Sequence, residues 1–191
     1  LVRVVQSEDE GRLVETDYDT DLFQVIINGI SHLREGKKVS TEQALFAKRA
    51  IADHIRAIVF LVADGVRPSN ESRGYVLRML IRRAARLGRK LLDKQVTKLR
   101  PVDRGGADVF LVPLIDSVST VMVGSPYYEA LLNQRKIIQD TVDKEETQFV
   151  ETLEIGTERV KQLLEQLKEQ RQRIIPGDEA FKLYDTYGFP L

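Results

Sequence analysis

From Tyr127 onward, apolar residues fall in two series that step by eleven: Tyr127, Ile138, Phe149, Val160, and Leu131, Val142, Leu153, Leu164, Ile175. Eleven residues over three turns is about 3.67 per turn, so the pattern demands an α-helix that runs nearly straight instead of winding into a left-handed coiled coil. Ser125-Pro126 supplies a cap and a proline at the first helical position. The helix is predicted to continue to about Arg173, where Ile174-Ile175-Pro176-Gly177 breaks it. At roughly 1.5 Å per residue it reaches about 70 Å, so part of it is expected to project or to hold two bodies apart.

Upstream the same period recurs. Leu22, Phe23, Ile26, Ile27, Ile30 and Leu33 predict an amphipathic helix over 20–33, with the acids and Thr20 of Asp17-Tyr18-Asp19-Thr20-Asp21 at its N-terminus. Ser40 or Thr41 can cap a second helix running to about Asp64, apolar almost all round in its later half and therefore buried. Asp64-Gly65 ends it through a left-handed residue, Pro68 forbids its continuation, and Ser69 or Asn70 can cap a third helix whose core face is Leu77, Leu80, Ile81, Ala84 and Leu87. Residues 93–107 lose the period and read as a basic loop, while 108–123 is a short apolar segment read as helix. Asp178 can cap a last short helix carrying Ala180, Phe181, Leu183 and Tyr184. The expected fold class is all-α, a helical bundle with one long, nearly straight helix.

Composition narrows the class. The 191 residues are 42% hydrophobic and 30% charged, enough apolar content for one domain or two small ones with a real core. No cysteine is present and only two histidines, so thiol chemistry is excluded and no convincing zinc set can be assembled. No apolar run reaches the roughly 18 residues that would span a bilayer. A soluble protein in a reducing, cytoplasmic setting is expected, and the ends at Leu1 and Leu191 read as cuts from something longer.

The formal net charge is zero, yet it is unevenly spread. Between Arg67 and Lys90 stand eight Lys/Arg (67, 73, 78, 82, 83, 86, 89, 90) against the single acid Glu71. Arginines at helical spacing can neutralise phosphates, release counterions and make paired hydrogen bonds to phosphate oxygens. The competing reading is a solvated face paired with acids elsewhere. Residues 140–165 supply such acids, eight of them against three bases. Nothing else suggests catalysis. His54 lacks a nucleophile in a motif setting and reads as a packed, hydrogen-bonded histidine; neither a Gly-x-Gly-x-x-Gly nor a Gly-Lys-Ser/Thr loop occurs. Asn70 can be a plain helix cap and Asp185 a surface or turn acid.

Four blocks go further: Tyr18-Asp19-Thr20-Asp21-Leu22-Phe23, Ala52-Asp53-His54-Ile55-Arg56, 63–78 (from Ala63-Asp64-Gly65-Val66-Arg67-Pro68-Ser69-Asn70 to Leu77-Arg78), and 180–190 (Ala180-Phe181-Lys182-Leu183-Tyr184-Asp185-Thr186-Tyr187-Gly188-Phe189-Pro190). In this order the chain resembles the alanyl-tRNA synthetase family. The resemblance implies that 1–124 is a helical tRNA-recognition subdomain following the class II catalytic core. It likewise implies that 125–191 is a long helix and short terminal helix leading toward the editing domain. ATP, magnesium and zinc would be held by other parts of the parent enzyme, so no cofactor, no metal and no catalytic residue is expected here, and no aminoacylation or deacylation from this part alone. The partners implied are the acceptor stem of alanine tRNA and the flanking catalytic and editing domains, with no membrane.

The same resemblance assigns Asn70 and Asp185 to the G·U wobble pair of that stem, whose shallow minor groove exposes a guanine amino group. Arg73, Arg78, Arg82, Arg83 and Arg86 would hold its phosphates, fixing register while the other two read identity. Two further readings stand beside it: a structural spacer or docking module, and a helical RNA-binding domain without base preference.

Overall fold

A computed structural model of the chain describes residues 14–33, 41–92 and 109–187. Among them there is no strand. A 3-10 turn at Asp17–Asp19 precedes α1 (Asp21–His32), α2 (Thr41–Ala63), α3 (Ser72–Leu92), α4 (Val112–Val121), α5 (Tyr128–Glu169) and α6 (Gly177–Tyr187). The fold is all-α with one long helix. The chain forms two compact units, Leu1–Glu146 and Thr147–Leu191.

In the first unit α2 packs most extensively on α3, and α1 lies against α4 and α2. Each helix delivers residues at three- and four-residue spacing. Ile26, Ile27 and Ile30 come from α1; Ile51, Ile55, Ile58, Val59 and Val62 from α2; Leu77, Ile81, Ala84 and Ala85 from α3; Leu114, Ile115 and Val118 from α4. Burying each large aliphatic contributes about 1.5–3 kcal/mol, which is why amphipathic periodicity decides the fold. Leu80 and Leu87, expected on the same face of α3, are half-buried at its margin. The apolar segment expected over 108–123 is indeed helical as α4, whereas the basic loop expected at 93–107 lies outside the described residues, as does Ser40.

Helix ends follow local chemistry. At the end of α2, Gly65 takes φ +86°, the Val66 N–H reaches Leu61 O (2.9 Å) and the Gly65 N–H reaches Val62 O (3.0 Å). That pair of bonds is a Schellman motif, which favours glycine because a left-handed residue with a Cβ is strained. The start of α4 is covered differently. The side chain of Glu146, 1% exposed, accepts the N–H groups of Phe110 (2.7 Å) and Leu111 (3.0 Å), donors the helix itself cannot satisfy.

Two expectations for the long helix need correction. It stops at Glu169, before the Ile-Ile-Pro-Gly run, because Arg171 turns left-handed (φ 56°) and the Gln172 N–H closes on Leu167 O (2.8 Å). The eleven-step series also fails at its ends, with Tyr127 59% and Leu164 44% exposed. Leu131, Ile138, Val142 and Phe149 of the series are buried as expected, and Leu167 takes the place of Leu164, so that Leu131, Phe149 and Leu167 stand at intervals of eighteen. Eighteen residues are five turns of an ordinary helix at 3.6 per turn, whereas an eleven-step drifts about 20° each time. In the second unit Leu163 and Leu167 therefore meet Leu183 of α6, with Val160 and Ile175 packed alongside. Arg159 adds a contact to Glu179 across the same two helices (3.5 Å).

Candidate nucleic-acid interface

The loop between α2 and α3 is tied down at both ends. Arg67 donates from one terminal guanidinium nitrogen to Val62 O (3.3 Å) and Val66 O (3.1 Å), bonding the last turn of α2 to the loop that follows it. Ser69 Oγ accepts the Glu71 N–H (3.3 Å), and the helix begins at Ser72, one or two residues later than a cap at Ser69 or Asn70 implies. The loop also lies directly on α3. A Cβ at Gly74 would stand 2.1 Å from Ser69 Oγ and 2.5 Å from Arg67 O, so only glycine lets the Arg67–Ser69 backbone approach this closely.

This packing puts Asn70 at the exposed tip. Its carbonyl oxygen accepts a hydrogen bond from Arg78 Nη1. Arg78 is held in turn by Glu145 of α5, with Nε 3.2 Å from Oε1 in an ion pair without hydrogen-bond alignment. Arg82 Nε donates to the same oxygen at 2.9 Å. The Glu145 side chain is only 5% exposed, so its charge is compensated by two guanidinium groups in a largely water-free setting.

The five arginines expected on phosphates thus sort into two kinds. Arg78 and Arg82 are half-buried against Glu145, while Arg73, Arg83 and Arg86 are exposed and form no ion pair among the described residues. Asn70 and the arginines belong to the first unit. Asp185 lies in the last turn of α6 in the second unit, and its side chain is outside the described residues.

Glu145 is the residue the periodicity reading did not single out. The signal was present. Position 145 falls three after Val142 and four before Phe149, on the buried stripe of α5, so a carboxylate there requires partners. The acids of 140–165 do pair with the basic helix, Glu145 with Arg78 and Arg82.

His54 departs from expectation. Its Nε2 is buried without a hydrogen-bond partner. Burial first, then the Arg83 charge, push its pKa below the ordinary value, with Asp53 opposing; neutral imidazole is what such a site tolerates. Its neighbours in the sequence are structural. Tyr18 donates to Asp53 (2.5 Å), Arg49 lies over the Tyr18 ring (5.0 Å) and Arg56 over Phe23 (4.5 Å). The blocks at 18–23 and 52–56 are therefore each other's packing partners, an aromatic and arginine clasp between the start of α1 and α2. Among the described residues no three His, Asp or Glu side chains come together as metal ligands.

Residues 12–191 match the family model of class II (A) tRNA synthetases. The chain belongs to that family. Within it, similar proteins include the alanine-tRNA ligase of Staphylococcus epidermidis, 42% identical over 179 residues, and those of Clostridioides difficile (41% over 178) and Chloroflexus aurantiacus (43% over 178). The aligned region is 93% of this chain but 18% of each relative, so the chain spans under a fifth of the length of the synthetases it matches. No helix among the described residues is long and apolar enough to cross a membrane.

Proposed function

We propose that this region binds the acceptor stem of alanine tRNA within an ATP-dependent alanine-tRNA ligase, Asn70 and Asp185 reading a G·U wobble pair in its minor groove. The observation that carries the reading is an exposed Asn70, its carbonyl already engaged, in the loop leading into a helix that presents Arg73, Arg83 and Arg86 to solvent. Relatives named as alanine-tRNA ligases supply the substrate class.

The division of labour follows from chemistry. Carboxylates only accept hydrogen bonds, so Asp185 suits the guanine amino group that a wobble pair leaves unpartnered. Exposed arginines grip phosphates and set register. Because Glu145 occupies Arg78 and Arg82, the phosphate role falls chiefly on Arg73, Arg83 and Arg86. ATP, magnesium and zinc belong, in this reading, to the remaining length of such a ligase, and the setting is the cytoplasm.

Binding of an alanine-acceptor minihelix, with the G·U pair present or replaced by G·C, tests the reading. Asp185→Ala and Asn70→Ala are each expected to cost about 1–3 kcal/mol on the G·U stem and to flatten the preference. Equal affinity for both stems at every salt concentration would leave a non-specific RNA-binding helix. No detectable binding would leave a docking module.

A further inference from the structure

The Glu145, Arg78 and Asn70 side chains form one chain of contacts from a buried carboxylate to an exposed amide. We propose that Arg78, anchored by Glu145, is a positioning residue that fixes the Asn70 amide so that its NH2, and not its carbonyl, faces the RNA. This rests on the acceptor-stem reading and adds the polarity of the contact and the residues that impose it.

The polarity is forced by donor and acceptor identity. A guanidinium has five N–H donors and no acceptor, so only Oδ1 of an asparagine can meet it. With Oδ1 turned to Arg78, both Nδ2 hydrogens point elsewhere, and among the described residues nothing accepts from them. Asn70 therefore offers two donors to whatever occupies the surface. In a minor groove their partners are acceptors: a pyrimidine O2, a purine N3 or a ribose hydroxyl. The guanine amino group is itself a donor and needs a different reader.

The anchor explains why Arg78 does not simply go to a phosphate. Its Nε stands beside Glu145 Oε1 while Nη1 reaches Asn70, a two-ended grip that needs the planar, rigid fork of arginine. Lysine in its place could satisfy one end only. Arg82, donating to the same Glu145 oxygen, holds the carboxylate from α3 a second time and keeps the anchor fixed.

Asn70→Asp separates this polarity from its opposite. The carboxylate keeps Arg78 as partner, so the fold is retained with an unchanged or raised Tm, but both donors are gone. Affinity for the G·U minihelix is expected to fall at least tenfold. If Asn70 instead offers its carbonyl to the guanine amino group, Asn70→Asp preserves or strengthens binding, and the proposal is overturned. Glu145→Gln and Arg78→Lys test the anchor. Each is expected to reduce the G·U over G·C preference about fivefold or more while affinity for the G·C stem does not fall, because Glu145→Gln releases Arg78 toward phosphate and Arg78→Lys keeps a cation at the same place. Equal losses on both stems would mean a general structural role and count against positioning.

A readout without RNA keeps the inference separable from the reading beneath it. In the free protein the Asn70 side-chain NH2 resonances are expected to shift in Glu145→Gln and in Arg78→Lys; unmoved resonances in both would overturn the anchor whatever the RNA does. A wild-type chain with no G·U preference but with shifted resonances would sink the acceptor-stem reading and leave the anchored amide standing.

Discussion

Glu146 places a carboxyl group in the interior of the first unit and pays for it in titration. Burial is the largest influence and pushes its pKa up from 4.5 to about 7; the Phe110 and Leu111 N–H groups pull it down, Asp143 raises it and Arg89 lowers it. A folded-state pKa above the unfolded one means that the native protein holds the proton more tightly. Stability from this group is therefore fully present below about 4.5 and is lost as pH rises through about 7. The loss is on the order of 3 kcal/mol at most. Thermal melts between pH 5 and 8 should show a decline that Glu146→Gln flattens, and an unchanged slope in that variant would assign the decline elsewhere. Glu146→Ala strands two buried N–H groups and should cost roughly 2–5 kcal/mol at any pH. Neither Glu145 nor Glu146 is conspicuous in a run of eight acids, since only the register of Val142 and Phe149 shows which of them face inward. Asn70 was legible as a polar residue beside a helix start; that its carbonyl is already taken depends on Arg78, a tertiary fact that no local pattern encodes.

Helix boundaries were readable where a residue type dictates backbone geometry, and misplaced where it does not. Gly65 closes α2 as its chemistry requires, and Thr20 stands at the N-cap position of α1, although its hydroxyl donates to Asp17 O (2.6 Å) and caps no helical N–H. The end of α5 was missed because the left-handed position there is an arginine, a residue that gives no stop signal. Close approach of elements is equally silent in sequence, and it makes two glycines behave differently. A Cβ at Gly88 of α3 would lie 2.3 Å from the Phe110 ring, a buried side chain whose backbone N–H is held by the Glu146 carboxylate. One at Gly29 of α1 would come close only to Ser117 Oγ, at 2.9 Å, the end of a small rotatable side chain, with Leu114 Cδ2 at an ordinary contact distance of 3.5 Å. Gly88→Ala is expected to destabilise by about 1–3 kcal/mol through overpacking. Gly29→Ala should be near neutral, or gain up to about 1 kcal/mol from the lower entropy of the unfolded helix segment. Urea midpoints of the two variants, measured side by side, check the contrast; similar losses in both would mean that the Phe110 ring simply moves aside.

A chain of zero net charge that carries a basic helix must bind phosphate through local rather than global charge, and the two classes of arginine separate the components. Arg83→Gln and Arg86→Gln remove exposed cations, so each should lower the slope of log affinity against log salt by about 0.7–0.9 with little change in Tm. Arg82→Gln instead leaves Glu145 dependent on Arg78 alone, and should act on stability first. The two units also differ in what holds them. The first has a continuous core from α1 to α4, including Ile51, Ile55, Ile58, Leu77 and Ile81, all inaccessible to solvent. In the second, the cluster joining α5 to α6 is Leu163, Leu167 and Leu183, flanked by Val160 and Ile175. Three buried leucines contribute about 1.5–3 kcal/mol each, far less than the core of the first unit supplies. Unfolding is thus expected in two steps. Amide hydrogens of α6 and the last three turns of α5 should exchange well before those of 51–62 and 77–85. Leu167→Ala should accelerate exchange in α6 and leave the first unit's protection intact, whereas Ile55→Ala should lower the main transition by about 2–5 kcal/mol. A single cooperative transition that both substitutions shift alike would show that the second unit draws its stability from the first.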